Sequence, residues 1–557
     1  MSGSFFYHGL RGEFNPDAGG RSLKRPAQVR QSGTTMHPAS LHQPPTVSLR
    51  VAAALAAAFS TVVLVWFGND LQPWWPLMWF APLPVLLFAA GSRSRWSAAV
   101  VAFAAWFAGS ACMWRYFQAL HRPLGDWAVT YALVSLIFTG AVLLFRALLR
   151  RGRPWSALVA FPAAWVTGEF AASRLTSGGT AGSLAYTQLE FLPYLQLASL
   201  TGPTGMSFGL LLFSAALALG WHRRRAQGWR FAAAGVGVIA LALVFGTVRL
   251  AGPSDAPRAQ MGLITSDAPD NVFPPDDDAG TERLLRAYAA GAEALIARGA
   301  QVVVMPEKLA VAAEPLGAFD NILQPVADKT GATLVVGLVR VAGPAQRSNQ
   351  ARVYTPGSPV QTYDKQHLLP PMESNMQPGT ALTLLPQPAA GSAWGVAVCK
   401  DLDFTGLARR YGRAGAGALL VPGWDFDLDR RWHGHIAVMR GVENGFSVVR
   451  AAKNGYLTVS DDRGRILAEA RSDAAPFVTL VADTPSAHHA TLYERGGDWF
   501  AWLAVAILVF SLVRRFGKVP PDTSDPTVFA TPSGPVRRPD DSPAGSPVGV
   551  GGRPPNS

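Results

Sequence analysis

Three short stretches each deliver one reactive side chain at or just past the end of a strand-like run. They read Val302-Val303-Val304-Met305-Pro306-Glu307, Tyr363-Asp364-Lys365 and Val396-Ala397-Val398-Cys399-Lys400-Asp401. A carboxylate, an ammonium and a thiol brought together can perform acyl transfer. A free thiol, with a pKa near ~8.5, is mostly protonated at neutral pH and needs help to become a nucleophile. Glu307 can take the thiol proton as Cys399 attacks a carbonyl, then return it to the leaving group. The Lys365 ammonium would favour the thiolate and stabilise the oxyanion, with the backbone N–H of Lys400 as a second donor. Residues at the ends of different strands are expected to converge at one sheet edge.

Each residue alone also has an ordinary structural explanation. Glu307 behind a proline resembles a strand-end surface residue, Lys365 a solvated turn residue, and Cys399 a core thiol. The ordered set, each member with its flanking context, is what points to a base, a cation and a nucleophile. His433 and His435 lie two apart at a helix start with no third ligand nearby, so they read as structural or surface residues. No Cys/His spacing matches a zinc site, so no metal is expected.

The elements that must hold these residues lie between residues 251 and 495. Strand-like runs at 260–264, 301–305, 333–339, 394–398, 418–421, 447–451 and 477–481 alternate with helix-like runs at 281–298, 406–414 and 431–444. Leu284, Leu285, Tyr288, Ala292 and Leu295 form one stripe of the first helix. The strands are apolar without alternation, as expected of sheets buried on both faces.

The rest of the chain has a different solvent. Of 557 residues, 49% are hydrophobic and only 15% charged, against roughly 25% charged in ordinary soluble proteins. Apolar runs at 47–66, 74–90, 96–114, 127–149, 155–172, 204–221, 231–250 and 499–513 are candidates to span a bilayer. The second contains Pro82 and Pro84, and the fifth contains Glu169, a costly residue in lipid unless it faces protein or water. The net charge of +12 sits in clusters beside these runs: Arg93 and Arg95; Arg146, Arg150, Arg151 and Arg153; Arg223, Arg224, Arg225 and Arg230; Arg514, Arg515 and Lys518. That is the positive-inside pattern of cytoplasmic loops, broken mildly by Arg115 and Arg122. No basic stripe is interleaved with stacking aromatics, which argues against nucleic acid. The expected organisation is a disordered cytoplasmic tail (1–46), seven membrane helices (47–250), an extracytoplasmic domain (251–495), a final helix (496–516) and a second disordered cytoplasmic tail (517–557). Cys112 lies in an apolar run and is not expected to pair with Cys399.

The order Pro306-Glu307, Tyr363-x-Lys365 and strand-Cys399 resembles the carbon–nitrogen hydrolase (nitrilase) superfamily. The Lys365-x-x-Leu368-x-Pro370-x-x-Glu373 spacing is similar to its membrane-bound branch, apolipoprotein N-acyltransferase. So are Trp165, Glu169, the run 182–188 with Tyr186 and Gln188, and Gln196 through Gly202-Pro203-Thr204-Gly205-Met206-Ser207. Downstream, Trp424-Asp425, Met439-Arg440-Gly441-Val442-Glu443-Asn444 and Arg450-Ala451-Ala452-Lys453-Asn454-Gly455 also resemble family stretches. The resemblance implies an αββα sandwich on about eight membrane helices in a bacterial inner membrane, with the sandwich facing the periplasm. It implies that Cys399 takes an acyl chain from a phospholipid as a thioester and gives it to the amine of a diacylglyceryl-cysteine apolipoprotein, without a cofactor. Glu373 would be the second glutamate that holds the lysine. The sequence departs from the pattern beside the nucleophile, where Lys400 and Asp401 replace an aromatic residue and a glutamate. Departures also occur at the opening strand, Met261 to Thr265, and around Trp424. Lys400 reads either as a solvated neighbour or as a charge that lowers the thiol pKa. Glu169 reads either as a buried packing residue or as part of a lipid channel. An amidase or N-acyltransferase acting on a different amine or amide is the alternative, and a catalytically silent membrane scaffold a more distant one.

The arginine clusters make orientation testable. A reporter active only outside the cytoplasm should be active when fused near Pro253 or Ser486 and silent near Gln227. Activity at Gln227 would overturn the assigned orientation.

Overall fold

The computed structural model describes residues 47–224, 227–252, 256–268, 276–343, 346–387 and 391–516. The expected tails, 1–46 and 517–557, lie outside the described residues. Among those described, six helices are long and apolar enough to cross a membrane: Val47–Gly68, Arg95–Ala119, Leu124–Arg150, Ala198–His222, Trp229–Ala251 and Trp499–Phe516. Two of the eight expected segments differ. The second is divided into Trp75–Met78 and Leu83–Gly91, because Pro82 and Pro84 cannot continue a helix through its interior. The fifth forms a helix of 22 residues, Pro154–Leu175, but Ser156, Thr167, Glu169, Ser173 and Arg174 make it more polar than the six.

The described arginines of the clusters beside segments two, four and eight gather at one end of this bundle. Arg146 Nη2 donates to the carbonyls of Ser92 and Arg93 at 3.0 Å each, and Arg153 donates to the carbonyl of Arg514.

The α/β part begins after Trp229–Ala251. In chain order its strands are β1 (Arg258–Thr265), β2 (Val302–Val304), β3 (Val311–Ala313), β4 (Thr333–Gly343), β5 (Gln346–Tyr354), β6 (Gln361–Asp364), β7 (Thr383–Gln387), β8 (Ser392–Val396), β9 (Ala416–Trp424), β10 (Ser447–Lys453), β11 (Tyr456–Ser460), β12 (Ile466–Arg471) and β13 (Val478–Pro485). One sheet runs β13-β1-β2-β4-β5-β6, with β3 paired to β4; the other runs β12-β11-β10-β9-β8-β7. Strand alternation explains the continuous apolar runs. Val302 and Val304 point into the core between the sheets, while Val303 and Met305 pack under the helices Asp278–Ala297 and Gly317–Thr330. Burying one such valine stabilises the fold by roughly 1.5–3 kcal/mol. The helices Thr405–Arg413 and Trp432–Asn444 cover the second sheet, which completes four layers, αββα.

The helix Trp432–Asn444 joins the two parts. All its residues except His433 are buried. Ala437 belongs to the sandwich core, whereas Trp432, Ile436, Met439 and Val442 pack with the membrane helices. A second tie is the turn between β11 and β12. Gln196 Nε2 donates to the carbonyl of Arg463 at 2.8 Å, and Arg249 Nη2 to that of Asp462 at 3.2 Å.

The final helix is seated through a break in another. Gly202, at φ +63°, interrupts Ala198–His222 just before Pro203. A Cβ there would fall 2.3 Å from Tyr493 Cε2, on the short helix that leads into Trp499–Phe516. Overpacking typically costs about 1–3 kcal/mol. Gly202→Ala should therefore lower the unfolding midpoint in detergent. Gly237→Ala, where a Cβ meets nothing within 4 Å, should not. Equal midpoints for the two variants would show that Tyr493 does not hold this break.

Candidate active site

The residues singled out in the sequence come from two facing sheets rather than from one sheet edge. Glu307 follows β2 and Lys365 follows β6 in the first sheet, whereas Cys399 follows β8 in the second. The reason is the sandwich itself, which brings the strand ends of both sheets to one seam. The Glu307 N–H donates across that seam to the carbonyl of Gly423 in β9 at 3.2 Å. Behind it β4 must come close: a Cβ on Gly337 would lie 2.6 Å from Glu307 Cα.

The centre of the site is a buried ammonium between two carboxylates. Lys365 Nζ lies 2.9 Å from Glu307 Oε1 and 3.0 Å from Glu373 Oε2. Lys365 and Glu307 are about 2% and 1% exposed and Glu373 is fully buried, so none is a solvated surface residue. Asn349, on β5, donates its amide to both carboxylates, at 2.5 Å to Glu307 and 2.8 Å to Glu373. The Leu369 N–H donates to Glu373 Oε2 at 2.8 Å. Lys308 Nζ also pairs with Glu373 and lies 3.9 Å from Glu307. Burial pulls the Lys365 ammonium towards neutrality, but Glu307 and Glu373 outweigh it and hold it charged. Burial raises Glu373, yet Lys365 and Lys308 hold it below the usual carboxylate range.

Cys399 opens a short 3₁₀ turn, Cys399–Asp403, with φ +45°, a strained value for a residue with a side chain. Its Sγ lies 3.4 Å from the carbonyl of Trp424. Burial pushes the thiol pKa up, and the Glu307 carboxylate pushes it further; Lys365 and Arg450 pull the other way without prevailing. Burial and Glu307 thus favour the neutral thiol at Cys399.

The turn after Cys399 is fixed from within. Asp401 is fully buried. Its Oδ2 accepts from the Tyr363 hydroxyl at 2.7 Å and the Val398 N–H at 3.1 Å, and its Oδ1 from the Gln366 and His367 N–H groups at 3.1 and 2.9 Å. Asp401 thus ties the cysteine turn to the lysine loop. Lys400 is not solvated: it is 8% exposed, and its Nζ bonds Asp403 Oδ2 at 3.0 Å. His433 is no surface residue either. It sits 3.0 Å from Asp429 Oδ2, 3.6 Å from Asp403 and 3.0 Å from the Tyr116 hydroxyl. Burial opposes its protonation, but Asp429 and Asp403 outweigh it and push its pKa up to about 10. His435 pairs with Glu469 at 3.5 Å. Among the described residues no group of His, Cys, Asp and Glu could hold a metal ion.

A cavity of about 330 Å³ runs from the membrane helices to this turn. Trp106, Val134, Ile137 and Trp165 line it in the membrane part, and Leu369, Lys400, Asp403 and Trp432 line it in the sandwich. Glu169 and Tyr186 face it as well. Glu169 accepts from Trp165 Nε1 and the Leu184 N–H, both at 2.8 Å, so it packs a helix and lines the cavity at once. Tyr186 accepts from Arg440 Nη2 at 3.0 Å. Gln188 does not line the cavity. Fully buried, it accepts from Trp79 Nε1 at 2.8 Å and donates to the Trp75 carbonyl at 3.0 Å, stapling the divided second segment.

Two family models divide the chain as the fold does. Residues 51–216 match the apolipoprotein N-acyltransferase N-terminal domain, and residues 264–486 match carbon–nitrogen hydrolase. Both parts of the chain are similar to the apolipoprotein N-acyltransferase family. The chain is a membrane protein carrying a nitrilase-superfamily enzyme domain. An apolipoprotein N-acyltransferase of Geobacter metallireducens is 28% identical over 479 residues, covering 77% of this chain and 89% of that one. Its counterpart in Bradyrhizobium diazoefficiens is 27% identical, covering 64% and 73%. That of Rhodopseudomonas palustris is 26% identical, covering 85% and 95%.

Within this site, sequence reasoning missed Asn349 and Lys308. Asn349 lies in a polar strand that carries no motif. Lys308 adjoins Glu307, and only the fold shows that it turns towards Glu373.

The opposed charges around the thiol generate a test. Because the Glu307 carboxylate raises the Cys399 pKa, Glu307→Gln should lower it. Alkylation of Cys399 by iodoacetamide should then have its midpoint at lower pH than in the unaltered protein. A midpoint that stays or rises would show that Glu307 does not act on the thiol through its charge.

Proposed function

We propose that this protein transfers an acyl chain from a phospholipid, through a thioester on Cys399, to the N-terminal amine of a diacylglyceryl-cysteine apolipoprotein. The observation that carries the reading is the apolar cavity, which continues from the membrane helices to the turn that begins at Cys399. A soluble substrate would not require such a path. The relatives' names support the acceptor class.

Glu307 takes the thiol proton as the sulfur attacks the ester carbonyl, which forms the carbon–sulfur bond. Lys365 and the Lys400 N–H stabilise the oxyanion. The carbon–oxygen bond breaks, Glu307 returns the proton to the leaving oxygen, and a lysophospholipid departs. The acceptor amine then attacks the thioester, loses a proton to Glu307, and leaves as an amide while the thiol reforms. Glu373 and Asn349 hold Lys365 and Glu307 in register and touch no reacting atom. Lys365 needs both carboxylates, because a buried cation stripped of a partner is strongly destabilised. The sandwich works outside the cytoplasm, in a bacterial inner membrane, with the arginine clusters at the opposite end of the bundle on the cytoplasmic side.

Mass spectrometry of the full-length protein with phospholipid and no acceptor should find the acyl group on Cys399 and none on Cys112. Glu307→Gln and Lys365→Ala should each slow acylation about 10²–10³-fold, the usual loss for one preorganised donor or base. The thioester should discharge faster to a diacylglyceryl-cysteine peptide than to water. Absence of a thioester in folded protein would sink the covalent route. Discharge to water alone would favour an amidase acting on another substrate.

A further inference from the structure

A second cavity, of about 320 Å³, lies beside the apolar one. The two share a wall, since Ser173, Gly179, Thr180 and Asp403 line both. The wall is pinned in place: Thr180 donates its N–H and its hydroxyl to the Asp403 carbonyl, at 2.9 and 2.7 Å. Across it the chemistry changes. Arg174, Arg409, Arg410 and His367 line the second cavity, together with the first turn of the helix Thr405–Arg413. That helix starts without a side-chain cap, so its opening N–H groups add partial positive charge.

Counter-charge around these arginines is short. Asp498 serves both Arg174 and Arg409. Asp403 is already held by Lys400 and His433. Arg410 donates to neutral oxygens, those of Gln366 and Thr380, at 3.0 Å each. Arg409 Nη1 is buried with no hydrogen-bond partner among the described residues. Three guanidiniums therefore line the cavity with one directly paired carboxylate, Asp498, since Glu443, which also acts on Arg409, is itself paired with Arg440.

The position of the cavity narrows the ligand. Arg174 stands in the last turn of Pro154–Leu175, next to Leu175, which is 83% exposed. Asp498 immediately precedes Trp499–Phe516, whose Trp502 is 63% exposed. The cavity thus sits at the sandwich-side ends of two helices of the membrane part, the depth at which lipid headgroups lie.

We propose that this second cavity binds the phosphodiester headgroup of a phospholipid whose acyl chain occupies the neighbouring apolar cavity. Guanidiniums match phosphate oxygens in geometry as well as charge. The inference rests on the acyl-transfer reading and specifies how the donor is recognised: by its phosphate, so that a neutral diglyceride is discriminated against. Free phosphate has the same headgroup chemistry but no chain to place in the apolar cavity.

The test uses full-length Cys399→Ala protein in detergent, which binds but cannot be acylated. Dihexanoyl phosphatidylglycerol, dihexanoylglycerol and inorganic phosphate are titrated separately by calorimetry. The phospholipid should bind at least about ten-fold more tightly than the diglyceride. Arg174→Gln combined with Arg410→Gln should reduce that preference about ten-fold. Both arginines are exposed, and an unchanged melting temperature checks the fold; if the double variant fails that check, Arg410→Glu alone should give the same direction. Equal binding of the two lipids, or a preference untouched by these substitutions, overturns the proposal. Inorganic phosphate binding as tightly as the phospholipid would assign the cavity to a free anion and overturn it as well. Preserved lipid preference with no acylation in the protein that retains Cys399 would count against the proposed function and leave this site standing.

Discussion

A buried ammonium that must keep two carboxylates is the constraint around which this site is built. Lys365 lies in a dry pocket, where removing either carboxylate takes away one of its two charged partners and leaves no solvent to replace it. Asn349 and Lys308 exist within the same requirement, since two carboxylates on one ammonium repel each other unless further donors share them. Each member arrives from a different element: Glu307 after β2, Asn349 on β5, Lys365 after β6, and Glu373 on the following loop. The sandwich cannot shift one of them without exposing the others.

The membrane part meets this arrangement through polar ties as well as apolar packing. Trp432, Ile436, Met439 and Val442 extend the membrane core into the sandwich. Tyr116 with His433, Tyr186 with Arg440, and Thr180 with Asp403 are hydrogen-bonded pairs across the same boundary. The cavity that reaches the Cys399–Asp403 turn is walled in part by Tyr116, Thr180, Tyr186, Asp403 and Trp432, so docking of the two parts and the shape of that cavity are one structural fact.

Much of this was legible in the sequence because burial leaves a pattern. Strands such as Val302–Val304 and Ala416–Trp424 are apolar on both sides, and their runs announce them. Gln346–Tyr354 went unread, because its buried stretch is polar too: Ser348, Asn349 and Gln350 stand where apolar residues would announce a strand. Thr383–Gln387 contains Pro386, which argues against a strand in sequence, and the helix Gly317–Thr330 contains Pro325. The site residues with motifs were readable; Asn349 was not, since an asparagine in a polar strand has no local signature. The seam was also invisible. Nothing in the spacing of Glu307 and Cys399 says that they belong to different sheets.

That seam has a mechanical meaning. Glu307 and Lys365 ride on one sheet and Cys399 on the other, with the Glu307 N–H to Gly423 bond spanning them at the site. Adjacent residues along a strand are separated by about 3.3 Å, roughly the reach of a hydrogen bond. A slip of one sheet over its neighbour by a single residue would keep most of the apolar core in contact yet carry the thiol away from Glu307 and Lys365. The reactivity of Cys399 is therefore a gauge of alignment between two rigid plates, and it would register a misfit far smaller than any that loosens the sandwich itself.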